Sequence, residues 1–269
     1  MQKKTKYDKL VLILIKNKRE EDLEKYINDI KRVNQNMGCN IKVIYGILII
    51  MVVLMIIKNV VTNMEILIII PVLIMSIVLH ELAHGYVAYL NGDDTAKIQG
   101  RLTLNPIKHI DAFGLLLPIF LILTSSSFVI GWAKPVPVNY YKLNNQKSSI
   151  FYVSIAGIVT NLFLAVIGAL CLRFLTAEVL ANKYIYLGIV YLIRLNITLA
   201  IFNLLPIPPL DGSKIITAFG SNNLKMGLYR IERYGFIIIM LLLWTGVLDI
   251  VMNPLYKLFY SIINLIIGA

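Results

Sequence analysis

The sequence predicts an all-α polytopic membrane protein, with about six transmembrane helices and a re-entrant, β-rich segment between the second and third. Three observations carry this expectation. The chain has 269 residues and is 58% hydrophobic, with a mean hydropathy of +0.75, whereas soluble domains run at about 45–50% apolar. Apolar runs long enough to cross a bilayer recur along it. Basic residues crowd into three intervening segments: of 26 Lys/Arg, eleven lie in residues 1–42, six in 91–149 and four in 206–233. That is how a membrane protein with those segments in the cytosol distributes its charge. The net charge of +11 therefore reports topology, and nucleic acid is not expected as a partner.

Residues 1–42 read as a basic cytosolic segment. Within it Leu23, Tyr26, Ile27 and Ile30 recur at helical spacing, as in an amphipathic, interfacial helix. No signal-peptide pattern opens the chain. Val43 to Ile57 is the first expected span. Ile66 to Leu90 is the second, with Pro71 in its first half, and Asn91-Gly92-Asp93-Asp94 ends it with turn residues. Residues 91–149 are unusual. Ala112 to Ile130 has the length of a span but carries Gly114, Pro118 and three serines, and its flanks are basic on both sides. It is expected to enter and leave by the cytosolic face, which is tolerated where such backbone is buried in protein or lines a cavity. Ile150 to Leu175 and Tyr184 to Leu205 are the third and fourth spans, and Tyr234 to Val251 the fifth. Leu255 to Ile267, behind Pro254, is a short sixth span or an interfacial helix. The domains expected are a cytosolic segment 1–42, a membrane core 43–250 and a C-terminal helix 251–269. Cys39 and Cys171 sit far apart and outside any paired motif, so neither a disulfide framework nor a thiolate site is expected.

The chemistry concentrates in the second span, in His80-Glu81-Leu82-Ala83-His84. Residues i and i+4 share a helix face, so both histidines can reach one metal ion, with Glu81 beside them to act on a bound water. Ionisable residues inside an apolar span are a functional signal. With the N-terminus cytosolic, this span runs inward. His80 lies 14 residues beyond Ile66, roughly 21 Å along the helix, so the pair sits toward the cytosolic side. Catalytic zinc usually takes three protein ligands. The best third candidate is Asp211, at the cytosolic end of the fourth span in Asn203-Leu204-Leu205-Pro206-Ile207-Pro208-Pro209-Leu210-Asp211-Gly212. Its prolines break the helix and can return the carboxylate to the bundle, although Asp-Gly also serves simply as a turn pair.

Here the sequence resembles the site-2 protease family of intramembrane zinc metalloproteases. The motifs are His80 to His84 in a span, Asn203 to Gly212, and Gly157-Ile158-Val159-Thr160-Asn161 between them. Ile158 departs from the proline that many relatives carry after the glycine. The resemblance covers roughly residues 43–250 and implies a minimal form without a PDZ or nucleotide-sensing domain. It implies one Zn²⁺ held by His80, His84 and Asp211, with Glu81 as acid–base catalyst. Asn203 would contact the substrate backbone or the developing oxyanion, although a helix-terminal cap serves as well. Asn161 is equally readable as an interhelical contact, and His109 as an incidental loop residue. The implied activity is peptide-bond hydrolysis within or near membrane segments of a single-pass or signal-peptide-like substrate. The implied setting is the plasma membrane, multi-pass, of a bacterial cell. The alternative is a metal-ion transporter or metal-binding membrane protein using the same ligands. Oligomeric state is left open.

Overall fold

The computed structural model describes residues 43–55, 65–111 and 134–268, together with Glu24, Lys25, Asn28, Lys58 and Gly114. Most of the expected amphipathic helix in 20–32 and most of the expected re-entrant stretch 112–130 lie outside the described residues. The chain divides into two compact units, Met1–Asn59 and Val60–Ala269. In the first, Val43–Met55 forms an apolar helix, α1. Its Val43, Ile44, Ile49, Ile50 and Leu54 side chains are all exposed, as expected of a helix whose surroundings are lipid.

The second unit is a helix bundle. Its elements are α2 (Ile66–Leu90), α3 (Thr95–Ile98), α4 (Gln146–Phe174), α5 (Ala177–Leu180), α6 (Lys183–Leu204), α7 (Asp211–Phe219), α8 (Asn222–Glu232), α9 (Gly235–Trp244) and α10 (Val247–Ile267). Short 3-10 turns lie at Pro106–His109 and Tyr140–Lys142. Among the described residues four helices, α2, α4, α6 and α10, are long and apolar enough to cross a membrane.

Helix α2 is apolar almost all round, but its inward face is not. Ser76, His80, His84 and Ala88 recur every fourth residue and are all buried, while Leu67, Ile70, Ile74 and Leu90 face outward. This polarity is the reverse of a soluble helix, and it is what a bilayer selects. Helices α4 and α6 form the core against α9 and α10: Ala165 and Ala169 meet Ile193, Ile197 and Ile201, and Ile239, Leu248 and Met252 close the cluster. The alanines let α4 approach its neighbours closely, which is how membrane helices gain packing without a hydrophobic driving force. Between α6 and α2, Asn196 is fully buried and donates to Ser76 Oγ at 2.9 Å.

One expectation differs from what is observed. Tyr234 to Val251 is not one span. The apolar run is interrupted at Gly246, whose φ of 72° is left-handed, so α9 stops at Trp244 and a new helix starts at Val247. The last helix absorbs the rest and is 21 residues long, with Pro254 inside it. The hydropathy is continuous across the break, so only the backbone of Gly246 marks it. Among the described residues there is no strand, and residues 134–139 carry no regular secondary structure.

Candidate metal centre

The side chains of His80, His84 and Asp211 converge although Asp211 is more than 120 residues away in sequence. His80 Nε2 lies 3.2 Å and His84 Nε2 3.1 Å from Asp211 Oδ2, and the two imidazole nitrogens are 3.0 Å apart. All three residues are buried. Four ligands held tetrahedrally at about 2.0–2.1 Å from a zinc ion stand roughly 3.3 Å from one another, so this triangle has the right size.

The protonation pattern makes the same point. His84 Nδ1 is 2.6 Å from the Val153 carbonyl oxygen, an acceptor only, so Nδ1 carries the hydrogen and Nε2 presents a lone pair. His80 Nδ1 is 2.8 Å from Asn161 Oδ1, which fixes the same tautomer. Asp211 Oδ2 is buried and has no hydrogen-bond donor. Three lone pairs therefore face one another within 3.0–3.2 Å. Such an arrangement is repulsive without a cation and fits a divalent metal with nitrogen and oxygen ligands.

The cradle is one face of α4. Val153, Gly157 and Asn161 recur every fourth residue. Val153 supplies a carbonyl to one imidazole and Asn161 an amide oxygen to the other. Gly157 supplies room: a Cβ there would lie 2.5 Å from His80 Cε1 and 2.5 Å from His84 Nε2. Asn161, fully buried, thus orients an imidazole through a bond that also joins two helices. Replacing it by Leu is expected to weaken metal binding by about 10- to 100-fold, read as zinc retained after dialysis against a graded chelator series. Unchanged retention counts against the orienting role.

Asp211 arrives through the proline-rich turn. Leu205 and Leu210 anchor that turn in the core, and Asp211 opens α7, where a carboxylate is favoured by the helix dipole. Gly212 permits the turn, since a Cβ there would sit 2.2 Å from the Leu204 carbonyl oxygen. Lys214, one turn on, donates to the other carboxylate oxygen, Oδ1, at 3.2 Å. Burial alone would lower the Lys214 ammonium, and the Asp211 carboxylate beside it more than reverses that.

Glu81 follows His80, and its Oε2 accepts a hydrogen bond from the Val136 amide at 2.8 Å. The sequence held no signal for that contact. Asn203 does not join the cluster in this structure; its amide donates to the Leu199 carbonyl of its own helix at 3.0 Å. His109 is buried in the loop after α3, with Nε2 2.9 Å from the Thr103 carbonyl oxygen.

Residues 175–245 match the sequence profile of Peptidase family M50. "Putative zinc metalloprotease YwhC" of Bacillus subtilis (strain 168) is 45% identical over 188 residues, covering 68% of this chain and 83% of the relative. "Putative zinc metalloprotease Rip2" of Mycolicibacterium smegmatis is 33% identical over 177 residues, 65% of this chain and 66% of the relative. The Rip2 of Mycobacterium tuberculosis (strain H37Rv) is 31% identical over 140 residues, 52% of each chain. No solved structure matches. The bundle and these relatives define a multi-pass membrane metalloprotease. The chain belongs to Peptidase family M50, the site-2 protease family.

Proposed function

We propose that this metalloprotease is a zinc-dependent intramembrane endopeptidase that cuts single-pass or signal-peptide-like substrates within or near their membrane segments. The observation that carries the reading is the convergence of three unprotonated ligand atoms, from His80, His84 and Asp211, at 3.0–3.2 Å. These residues would hold the zinc. A zinc ion there would acidify a water molecule and polarise the scissile carbonyl. Glu81 takes the proton from the attacking water and delivers it to the leaving amine nitrogen. Asn203, released from its helix, donates to the substrate backbone or the developing oxyanion. The distribution of basic residues supports a cytosolic N-terminus and a site toward the cytosolic side, and the bacterial relatives support a multi-pass setting in a bacterial plasma membrane.

Besides the four long helices, α1 with its flanking residues would supply a further span, whereas α9, ten residues long, is too short to cross alone. Residues 112–130 are the proposed re-entrant segment. The Lys134–Asn139 stretch at its end would offer an edge to an unwound substrate.

The test is metal dependence. Detergent-purified protein is expected to hold about one zinc per chain, measured by elemental mass spectrometry. Chelation should abolish cleavage of co-expressed tagged single-pass segments, and added zinc should restore it. His84→Ala should lose both metal and cleavage. Cleavage that survives complete zinc removal defeats the reading.

A further inference from the structure

We propose that Arg101 is a positioning residue for Glu81, acting through the peptide unit that joins Pro135 to Val136. The proposal rests on Glu81 being the acid–base group named above.

Among the described residues the Lys134–Asn139 stretch has no strand partner, yet it is pinned along its length. The Lys134 amide donates to the His109 carbonyl at 2.8 Å. The Asn139 amide donates to Asp93 Oδ2 at 2.6 Å, and Asp93 is fully buried. Arg101 Nη2 donates to the carbonyls of Lys134 at 2.9 Å and Pro135 at 3.2 Å. Between these pins the Val136 amide donates to Glu81.

The Pro135 carbonyl and the Val136 N–H belong to one planar trans unit, and they point in opposite directions. A cation on the oxygen and a carboxylate on the hydrogen polarise the same peptide, and each bond strengthens the other. Fixing the oxygen fixes the direction of the N–H. Pro135 and Pro137 flank Val136; both lock φ and neither has an N–H. Val136 is thus the one amide between Lys134 and Val138, and it has little freedom to turn away.

The Val136 side chain is seated as well. It is 6% exposed and lies against Gly85, where a Cβ would come 2.6 Å from Val136 Cγ1. Gly85 is one turn beyond Glu81 on the same face of α2. One turn of that helix therefore receives both the amide and the side chain of Val136.

Arg101 is itself buried. Among the described residues no carboxylate pairs with it, and its Nε has no partner. A buried guanidinium without a counter-charge is costly, and a neutral donor would suffice to hold a loop. A cation is what polarises the peptide toward Glu81. With Oε2 held in this way, the carboxylate keeps one orientation, and Oε1 is left to take the proton from water.

The experiment uses full-length, zinc-loaded protein in detergent. Hydrogen exchange is followed by mass spectrometry on peptides covering 134–139, whose only amides are those of Lys134, Val136, Val138 and Asn139. Steady-state cleavage is measured on a tagged single-pass segment recovered with the Glu81→Gln variant as a trap. Arg101→Met is expected to raise exchange in that stretch and to lower kcat by about 10- to 100-fold, with KM and zinc content unchanged. Arg101→Lys, which keeps the charge but not the planar fork, should recover part of the loss. Glu81→Ala should also raise exchange there, because Val136 loses its acceptor. Wild-type kcat in Arg101→Met overturns the proposal. So does exchange that stays at the wild-type level in both Arg101→Met and Glu81→Ala. If Arg101→Met loses zinc or exchanges throughout, Arg101→Lys decides: a lowered kcat with exchange raised only in 134–139 supports the proposal, and an unchanged kcat overturns it. Wild-type cleavage by Glu81→Gln defeats the reading of Glu81 itself. An inactive Glu81→Gln beside a fully active Arg101→Met defeats only the role of Arg101.

Discussion

Glu81→Gln is expected to lower peptide cleavage by about 10²- to 10⁴-fold while leaving the zinc content of the protein unchanged. That is a loss of about 3–5 kcal/mol of transition-state stabilisation. The substitution is close to isosteric. An amide oxygen can still accept from the Val136 N–H, which Glu81 now does at 2.8 Å, so side-chain placement and the Lys134–Asn139 stretch should survive. The proton-accepting function does not survive. The His80, His84 and Asp211 ligand atoms are untouched, so metal binding is expected at the wild-type level by elemental analysis. Substrate binding should also persist, which makes this variant a trap: partners captured on it and identified by mass spectrometry name the substrate. A Glu81→Gln protein that cleaves at the wild-type rate with zinc bound assigns the proton transfer to another group.

Much of this site was legible in the sequence, and for identifiable reasons. The Ile66–Leu90 helix has the bounds expected of it, because apolar length and the turn residues Asn91 and Gly92 both mark its end. The histidine spacing places two imidazoles on one helix face whatever the tertiary fold. Asp211 could be paired with them because charge distribution assigned directions to both spans, and so brought their ends to one level.

Four features were not legible, each because its signal lies outside the local pattern. The break between α9 and α10 depends on the positive φ of Gly246 inside a run that stays apolar on both sides. Asn161 read only as an interhelical contact or a possible site residue, and its bond to His80 Nδ1 is what ties it to an imidazole. The grip of Val136 on Glu81 is a backbone bond across 55 residues. A backbone donor leaves no side-chain trace, although Pro135 and Pro137 hint at a rigid stretch. Arg101 was counted among the cytosolic charges; its burial against two carbonyls is a tertiary fact that composition cannot carry.

Gly157→Ala is the second large effect, and it tests the packing of the cradle apart from the chemistry of the ligands. Alanine is the better helix former by about 1 kcal/mol, so α4 itself should not weaken. The added Cβ, however, would lie 2.5 Å from His80 Cε1, 2.5 Å from His84 Nε2 and 2.6 Å from His80 Nδ1, well inside contact distance. Neither ring can step aside cheaply. His84 is tied through Nδ1 to the Val153 carbonyl and His80 to Asn161, and both anchors stand on the same face of α4 as the intruding methyl. Either the two helices separate by about 1 Å or the imidazoles rotate off their partners. Both movements spoil a ligand triangle with sides of 3.0–3.2 Å. A misplacement of that size costs about 100-fold at a reacting centre. The expected result is therefore folded, membrane-inserted protein that retains little zinc and cleaves at about 1% of the wild-type rate or less. Far-ultraviolet circular dichroism and elemental analysis on one preparation separate that outcome from unfolding. Wild-type zinc content and rate in Gly157→Ala would show that α2 and α4 can part at no cost to the site, and the absence of a Cβ at Gly157 would then owe nothing to metal binding.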